Sequence, residues 1–221
     1  MKNVILHALS VFITVSLRTV LAMSIVVMMA GAASSARLSY TVGGEGTNSC
    51  GSWTAKRLIQ TAVAPEQWTL GFLSGIGAAG EFFNVHPLNR MSADVVWIWI
   101  DRYCDAHPLH DISKAGLMFG GQAAKGTNEN ALFLGYGTRS CGTWLAARRD
   151  RQSTAYEQWI IGFMSGIGAA NTYLADGRFD PLARTDAQGV WAWIDNFCRA
   201  NTVDKLSRAG QLLSLELDDG R

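Results

Sequence analysis

One segment of the chain occurs twice with few changes. Residues 67–79 read QWTLGFLSGIGAA, and residues 158–170 read QWIIGFMSGIGAA. Each copy is preceded by a similar stretch, GTNSCGSW or GTRSCGTW, and followed by another, VWIWIDRYC or VWAWIDNFC. Self-similarity at a fixed spacing is typical of a duplicated structural unit. We therefore predict two related domains, residues 46–119 and residues 137–217, joined by a linker at residues 120–136.

The N-terminus has the composition of an export signal. Residues 1–36 contain Lys2 and Arg18 but no acidic residue, and they end in a run of small residues. This pattern predicts a signal peptide cleaved near Arg37, and hence a periplasmic or secreted protein. The alternative is an uncleaved anchor in the inner membrane with the rest of the chain facing the periplasm. Against an anchor, Arg18 divides the segment into two apolar halves, each shorter than the ~20 residues that span a bilayer.

The four cysteines occupy matching positions in the two repeats, as Cys50 and Cys104 in the first and Cys141 and Cys198 in the second. An even number of cysteines in an exported chain predicts disulfides. Four cysteines allow three connectivities, of which the repeat favours Cys50–Cys104 and Cys141–Cys198. Zinc is the alternative, but the chain has no CxxC pair. We expect no metal and no cofactor.

The apolar residues of the repeated segment have helical spacing. Trp68, Phe72 and Ile76 follow one another at intervals of four, beside a row of small residues that includes Gly71 and Gly75. A glycine inside a helix costs about 1 kcal/mol relative to alanine. Glycines kept in both copies therefore indicate that another backbone approaches closely. We predict an all-α fold in which this second helix is the centre of a four-helix, disulfide-closed domain.

Polar residues that favour helix starts predict where the helices begin. Expected N-caps are Ser52 and Thr143 for helix one, and Ser92 and Asp186 for helix three. Helix two begins at Pro65 in the first copy and, with a capping box, at Thr154 in the second. We expect helix four at residues 109–119 and 203–215, and a short strand at residues 38–42.

Helix three carries two tryptophans per copy, spaced so that they lie on opposite faces. They are Trp97 and Trp99 in the first copy, and Trp191 and Trp193 in the second. A helix that is apolar on two sides is buried on two sides. We expect one face to pack within its own repeat and the other against the sister repeat or a partner, so that the repeats form an intramolecular pseudo-dimer.

Two motifs suggest chemistry, and each has a structural alternative. The GxGxxG pattern at residues 75–80 outlines a dinucleotide fingerprint, but its context is helical and it lacks the preceding strand. Asp101 and Asp195 lie near the end of an apolar helix, where they could act as acids in a cleft. The favoured interpretation is a salt bridge from each to Arg57 or Arg148.

Other catalytic arrangements have little support. Every cysteine has a disulfide partner, so a cysteine–histidine pair is not expected. Ser74 and Ser165 fall inside helix two, which is the wrong place for a nucleophile elbow. His107 and His110 occur in the first copy only, and are interpreted as helix-cap residues rather than as a pH sensor. We therefore expect a protein that is not an enzyme.

The pattern CGxW…EQWxxGFxSGIGAA…VWxWIDxxC resembles a group of small, uncharacterised exported proteobacterial proteins. In layout, each repeat is also similar to Tai-type immunity proteins, which block secreted peptidoglycan amidases, and to HdeA-type acid-stress chaperones. This resemblance implies an exported binding protein, either an inhibitor of an envelope-targeted enzyme or an acid-responsive holdase. A small hydrolase using Asp101 and Asp195 is a third, weaker alternative.

We expect the partner to be another protein of the cell envelope. The formal net charge is +1 and no basic cluster appears, which argues against nucleic acid. Membrane contact is expected only through an uncleaved N-terminus. The predicted contact surface is the pair of loops at residues 84–91 and 175–185, which differ between the copies. Candidate contact residues are Trp99, Trp193, Asp101, Asp195, Pro87 and Pro181.

Overall fold

Eight α-helices, four from each repeat, make up the described part of the chain. The computed structural model describes residues 39–80, 85–123, 132–175, 177 and 179–219. The helices are α1 (Cys50–Leu58), α2 (Val63–Gly80), α3 (Ala93–Ala106), α4 (Ile112–Ala123), α5 (Cys141–Arg149), α6 (Thr154–Leu174), α7 (Ala187–Ala200) and α8 (Leu206–Asp219). Short 3₁₀ turns lie at Gly44–Thr47, Gly135–Thr138 and Pro181–Ala183. The predicted all-α class is confirmed. The expected strand is absent from residues 39–42, and the predicted signal peptide lies outside the described residues.

The centre of the molecule is a parallel pair formed by α2 and α6, the helices that carry the repeated segment. A Cβ atom on Gly71 would overlap the carbonyl oxygen of Trp159, and one on Gly75 would overlap that of Phe163. These two positions also lie close to the amide nitrogens of Phe163 and Ile167, at 3.1 Å from the added Cβ atom in each case. Both contacts advance by one turn in the same direction, so the helices are parallel.

The glycines of α6 make equivalent contacts with the backbone of α2. A Cβ atom on Gly162 would overlap the carbonyl oxygen of Trp68, and one on Gly166 would overlap that of Phe72. Equivalent residues of the two repeats therefore lie side by side, in register. The expected close approach of a backbone is confirmed, and the approaching backbone is that of the sister repeat. Such spacing of small residues lets helices pack backbone to backbone.

The segment before α1 is held by both central helices. Trp68 of α2 donates its indole N–H to the carbonyl oxygen of Gly43 at 2.8 Å. Gln158 of α6 accepts the backbone N–H of Glu45 at 2.8 Å. The lead-in of the first repeat is thus attached to its own central helix and to that of the second repeat.

The lead-in of the second repeat makes the equivalent pair of hydrogen bonds. Trp159 donates to the carbonyl oxygen of Leu134 at 2.8 Å, and Gln67 accepts the backbone N–H of Tyr136 at 2.9 Å. The Gln-Trp dipeptide that opens each repeated segment therefore connects the two halves. With these exchanges the described residues form one compact unit.

Two disulfides close the repeats. Cys50–Cys104 joins α1 to α3, and Cys141–Cys198 joins α5 to α7. All four cysteines are fully buried. The predicted connectivity is confirmed. Because such bonds persist in oxidising environments, the pair indicates a non-cytoplasmic compartment.

Several predicted helix starts are wrong by a few residues. The N-caps of α1 and α5 are Ser49 and Ser140, whose hydroxyls accept the backbone N–H groups of Ser52 and Thr143. Ser52 and Thr143, the residues expected as caps, are therefore the donors. In α6 the residue before Thr154 is the cap, and it makes no side-chain capping bond, so the predicted capping box is absent. α2 begins at Val63, two residues before the expected proline.

The N-caps of helix three are confirmed. Ser92 accepts the backbone N–H of Val95, and Asp186 accepts that of Gly189 at 2.8 Å. In each case the cap and its donor lie within one local turn.

Helix four begins three residues later than expected, for a tertiary reason. The carbonyl oxygens of Pro108 and His110 accept the backbone N–H groups of Gly51 and Cys50 at 2.9 and 2.7 Å. These donors belong to the first turn of α1, which has no intrahelical acceptor for them. In the second repeat, the carbonyl oxygens of Thr202 and Asp204 accept the backbone N–H groups of Gly142 and Cys141 in the same way. The residues before helix four thus accept hydrogen bonds from helix one and do not form the first turn of helix four.

No helix in the described ranges is long and apolar enough to cross a membrane.

Alanine substitution of the central glycines tests the helix contact. Gly71→Ala or Gly166→Ala should lower the free energy of unfolding by about 1–3 kcal/mol or more, because the obstructing atoms are backbone and cannot rotate away. The measurement is guanidinium denaturation of the oxidised protein.

Gly121→Ala is the matched control, since a Cβ atom there meets nothing within 4 Å. It should leave stability unchanged or raise it by up to about 1 kcal/mol. Equal stability of Gly71→Ala and Gly121→Ala would contradict the close contact.

Candidate functional site

Asp101 is engaged in a structural cluster. Its carboxylate accepts the indole N–H of Trp53 at 2.7 Å and two guanidinium N–H groups of Arg57 at 3.1 and 3.2 Å. The same guanidinium donates to Glu66 at 2.5 Å. Hydrogen bonding to Asp101 raises the pKa of Arg57, against an opposing effect of burial, with Glu66 adding to the rise. We call these four residues the Arg57 cluster.

The second repeat contains the same arrangement, the Arg148 cluster. Asp195 accepts the indole N–H of Trp144 at 2.7 Å and two N–H groups of Arg148 at 3.2 and 3.3 Å, and Glu157 accepts a third at 2.6 Å. Burial lowers the pKa of Arg148, but its bonds to Asp195 and Glu157 outweigh burial and raise it. The predicted salt bridges from Asp101 and Asp195 are confirmed. Each carboxylate is thus paired with a guanidinium in the structure.

The second face of the tryptophan helix packs against helix four of its own repeat. Trp99 lies edge-on to Phe119 at 5.5 Å between ring centroids and donates to Gln122 at 3.1 Å. Trp193 donates to Glu216 of α8 at 3.0 Å. Contact of this face with the sister repeat, one of the two expected alternatives, is therefore wrong, because α2 and α6 already fill the centre; contact with a partner stays a prediction. Trp99 and Trp193 remain half-buried.

The loops expected to contact a partner turn much of their apolar content inward. Pro87 and Leu88 are buried in the first loop, as are Phe179 and Pro181 in the second. Residues 84, 176 and 178 of these loops lie outside the described residues. Pro87 and Pro181 accordingly support the core and present little side-chain surface.

An open groove lies where α4 of the first repeat meets the C-terminal part of α6 from the second. Its volume is about 420 Å³. We call it the first groove, and its lining is almost entirely apolar: Ile76, Val85, Lys114, Leu117, Met118, Gly120, Gly121, Ala169, Ala170, Tyr173 and Leu174. Met118, Tyr173 and Leu174 are 40%, 56% and 36% exposed, which is unusual for large apolar side chains that lie together.

A second groove lies at the equivalent place on the other side, between α2 and α8, with a volume of about 380 Å³. Ala78, Ala79 and Ile167 correspond to Ala169, Ala170 and Ile76 of the first groove. The remaining lining is more polar: Asn171, Ala175, Phe179, Gln211, Ser214, Leu215 and Asp218. The two grooves therefore share an alanine pair and an isoleucine and differ in the polarity of the rest of their lining.

The other catalytic candidates occupy structural positions. Gly75, Gly77 and Gly80 are all within α2, so the GxGxxG pattern does not follow a strand. Ser74 and Ser165 are buried inside α2 and α6. His107 and His110 are exposed and stack at 4.8 Å between ring centroids. Across the described ranges, no group of three histidine, cysteine or acidic side chains could hold a metal ion.

No protein-family model, no curated protein and no solved structure matches the chain. The candidate site therefore depends on the geometry of this molecule alone.

The first groove was not anticipated from the sequence, although a signal for it exists. Counted from the first residues of α4 and α8, Gly120 and Gly121 correspond to Ser214 and Leu215, and Leu117 corresponds to Gln211. These substitutions fall on one helix face in an otherwise similar frame. The differences between the two copies of helix four, and not those between the loops, indicate the position of the first groove.

Neutralising the two aspartates should affect stability. Asp101→Asn should lower the free energy of unfolding by about 1 kcal/mol, because the carboxylate is 35% exposed and partly screened. Asp195→Asn should cost more, since that carboxylate is only 17% exposed. Chemical denaturation of both variants measures the difference.

Asp105→Asn serves as the control, because Asp105 is exposed on the same helix as Asp101. Its effect should stay within about 0.5 kcal/mol. An Asp195→Asn variant as stable as this control would contradict the structural role of the Arg148 cluster.

Proposed function

We propose that the chain is an exported, non-enzymatic binding protein that holds its ligand in the first groove. The observation that carries the proposal is the exposed apolar lining of that groove, centred on Met118, Tyr173 and Leu174. Binding sites are typically concave and mostly apolar, with a few polar groups that orient the ligand.

The acidic side chains support a binding role over a hydrolytic one. Asp101 and Asp195 each bind an arginine and a tryptophan, and neither lines the first or the second groove. A hydrolase would need a carboxylate that faces a substrate cleft. The aspartates instead join helix three to helix one through these hydrogen bonds.

Export to the periplasm or beyond is part of the proposal. The two disulfides support an oxidising compartment, and the composition of residues 1–36 supports a secretory signal.

An immunity-like inhibitor is one form that this binding function can take. Such a protein would dock an apolar segment of an envelope-targeted enzyme. Because Pro87 and Pro181 are buried, the groove replaces the two loops as the proposed contact surface.

A second candidate is a stress-responsive holdase, which the same exposed apolar side chains favour. A holdase would expose further apolar surface in acid. Tryptophan fluorescence and binding of a hydrophobic dye, followed from neutral to acid pH, separate the two functions. The binding-protein proposal expects dye binding that stays constant until the protein unfolds.

Photo-cross-linking in the exporting cell tests the proposal directly. A benzophenone amino acid in place of Met118 should form an adduct, detectable as a mass increase of the purified protein. The same group in place of Leu215, which lines the second groove and is 59% exposed, is the control.

A groove-filling substitution gives the second control. Gly121→Trp should abolish the adduct at position 118, because the added side chain enters open space in the groove. Absence of an adduct at position 118, or equal adducts at both positions, would contradict the proposed function.

A further inference from the structure

The two grooves share some lining residues and differ in others. Their floors keep alanine pairs and an isoleucine, whereas their walls from α4 and α8 have changed. Leu117 and Gly120 of the first groove stand where the second groove has Gln211 and Ser214, so the first groove lacks these two polar side chains. The first groove is therefore the more apolar of the two, on alanine and isoleucine positions that both grooves share.

One charged side chain lines the first groove. Lys114 is the charged residue among those that line the first groove. It is exposed, and within the described part of the chain it has no ion-pair partner. An ammonium group beside an apolar groove is complementary to a molecule with an apolar body and an anionic end.

The size of the groove argues against a protein segment as its occupant. An α-helix is about 10 Å across with its side chains, so about one turn would fill 420 Å³. An extended peptide would turn some of its backbone N–H and C=O groups toward an apolar wall that offers them no partners, which is costly. An alkyl chain has no polar groups to satisfy.

We infer that the first groove binds a single-chain amphiphile with an anionic head, of which a free long-chain carboxylate is the simplest case. The alkyl chain lies between α4 and the end of α6, against Leu117, Ala170 and Leu174. The carboxylate lies at the rim beside the ammonium of Lys114. This inference rests on the proposed binding function and names the ligand class of the same groove.

Calorimetric titration of the purified, oxidised protein tests the ligand class. The probes are dodecanoate and dodecyltrimethylammonium, which have the same chain and opposite charges, each used as monomers below its micelle concentration. Dodecanoate should bind more tightly. Lys114→Glu should weaken dodecanoate about five- to tenfold, because charge reversal replaces an attraction with a repulsion, and it should not weaken the cationic probe.

Arg208 provides the matched control, since it occupies the position in α8 that Lys114 occupies in α4. It does not line the first groove, so Arg208→Glu should leave both affinities unchanged. Gly121→Trp should weaken both probes at least tenfold with an unchanged melting temperature, which separates blocking of the groove from loss of the fold.

Three results would overturn the inference. They are equal affinities for the two probes, equal effects of Lys114→Glu and Arg208→Glu, and no heat of binding for dodecanoate up to about 1 mM. The photo-cross-linked adduct distinguishes this failure from failure of the proposed function. A groove-dependent protein adduct at position 118 would reject the amphiphile and retain the binding role, whereas absence of any adduct would reject the binding role itself.

Discussion

The structure depends on a backbone-to-backbone contact between α2 and α6. Gly71 and Gly75 of one helix, and Gly162 and Gly166 of the other, leave no room for a side chain at the crossing. Each glycine weakens its own helix by about 1 kcal/mol. The contact offsets this cost because it brings two long apolar helices together, with Trp68, Phe72, Trp159 and Phe163 fully buried around it.

The parallel direction of this pair explains most of the remaining architecture. Equivalent residues lie side by side, so each Gln-Trp dipeptide can bind the lead-in of its own repeat and that of its sister. Helix three is then excluded from the centre and packs between helices one and four of its own repeat. The grooves form where helix four of one repeat meets the central helix of the other. A ligand in the first groove would therefore contact both repeats.

Local patterns predicted most of the local features, and long-range contacts account for the late start of helix four and for the groove. The helical spacing and the glycine rows predicted α2 and α6 and a close backbone contact, because both depend on one face of one helix. Ser92 and Asp186 were predictable caps for the same reason. The late start of helix four was not predictable, since it follows from hydrogen bonds between residues 108–110 and the first turn of α1. The salt bridges of Asp101 and Asp195 were expected, but the groove beside Gly121 requires two helices from different repeats.

The most direct measurement is a nuclear Overhauser experiment on protein with labelled glycine. Parallel packing of α2 and α6 predicts that the α-protons of Gly71 contact the backbone amide of Phe163, and those of Gly75 the amide of Ile167. Reciprocal contacts should run from Gly162 to Phe72 and from Gly166 to Ile76. These contacts should persist on dilution, because they lie within one chain. Contacts in the reverse order, with Gly71 near Ile167 and Gly75 near Phe163, would show antiparallel helices and contradict the parallel packing of α2 and α6.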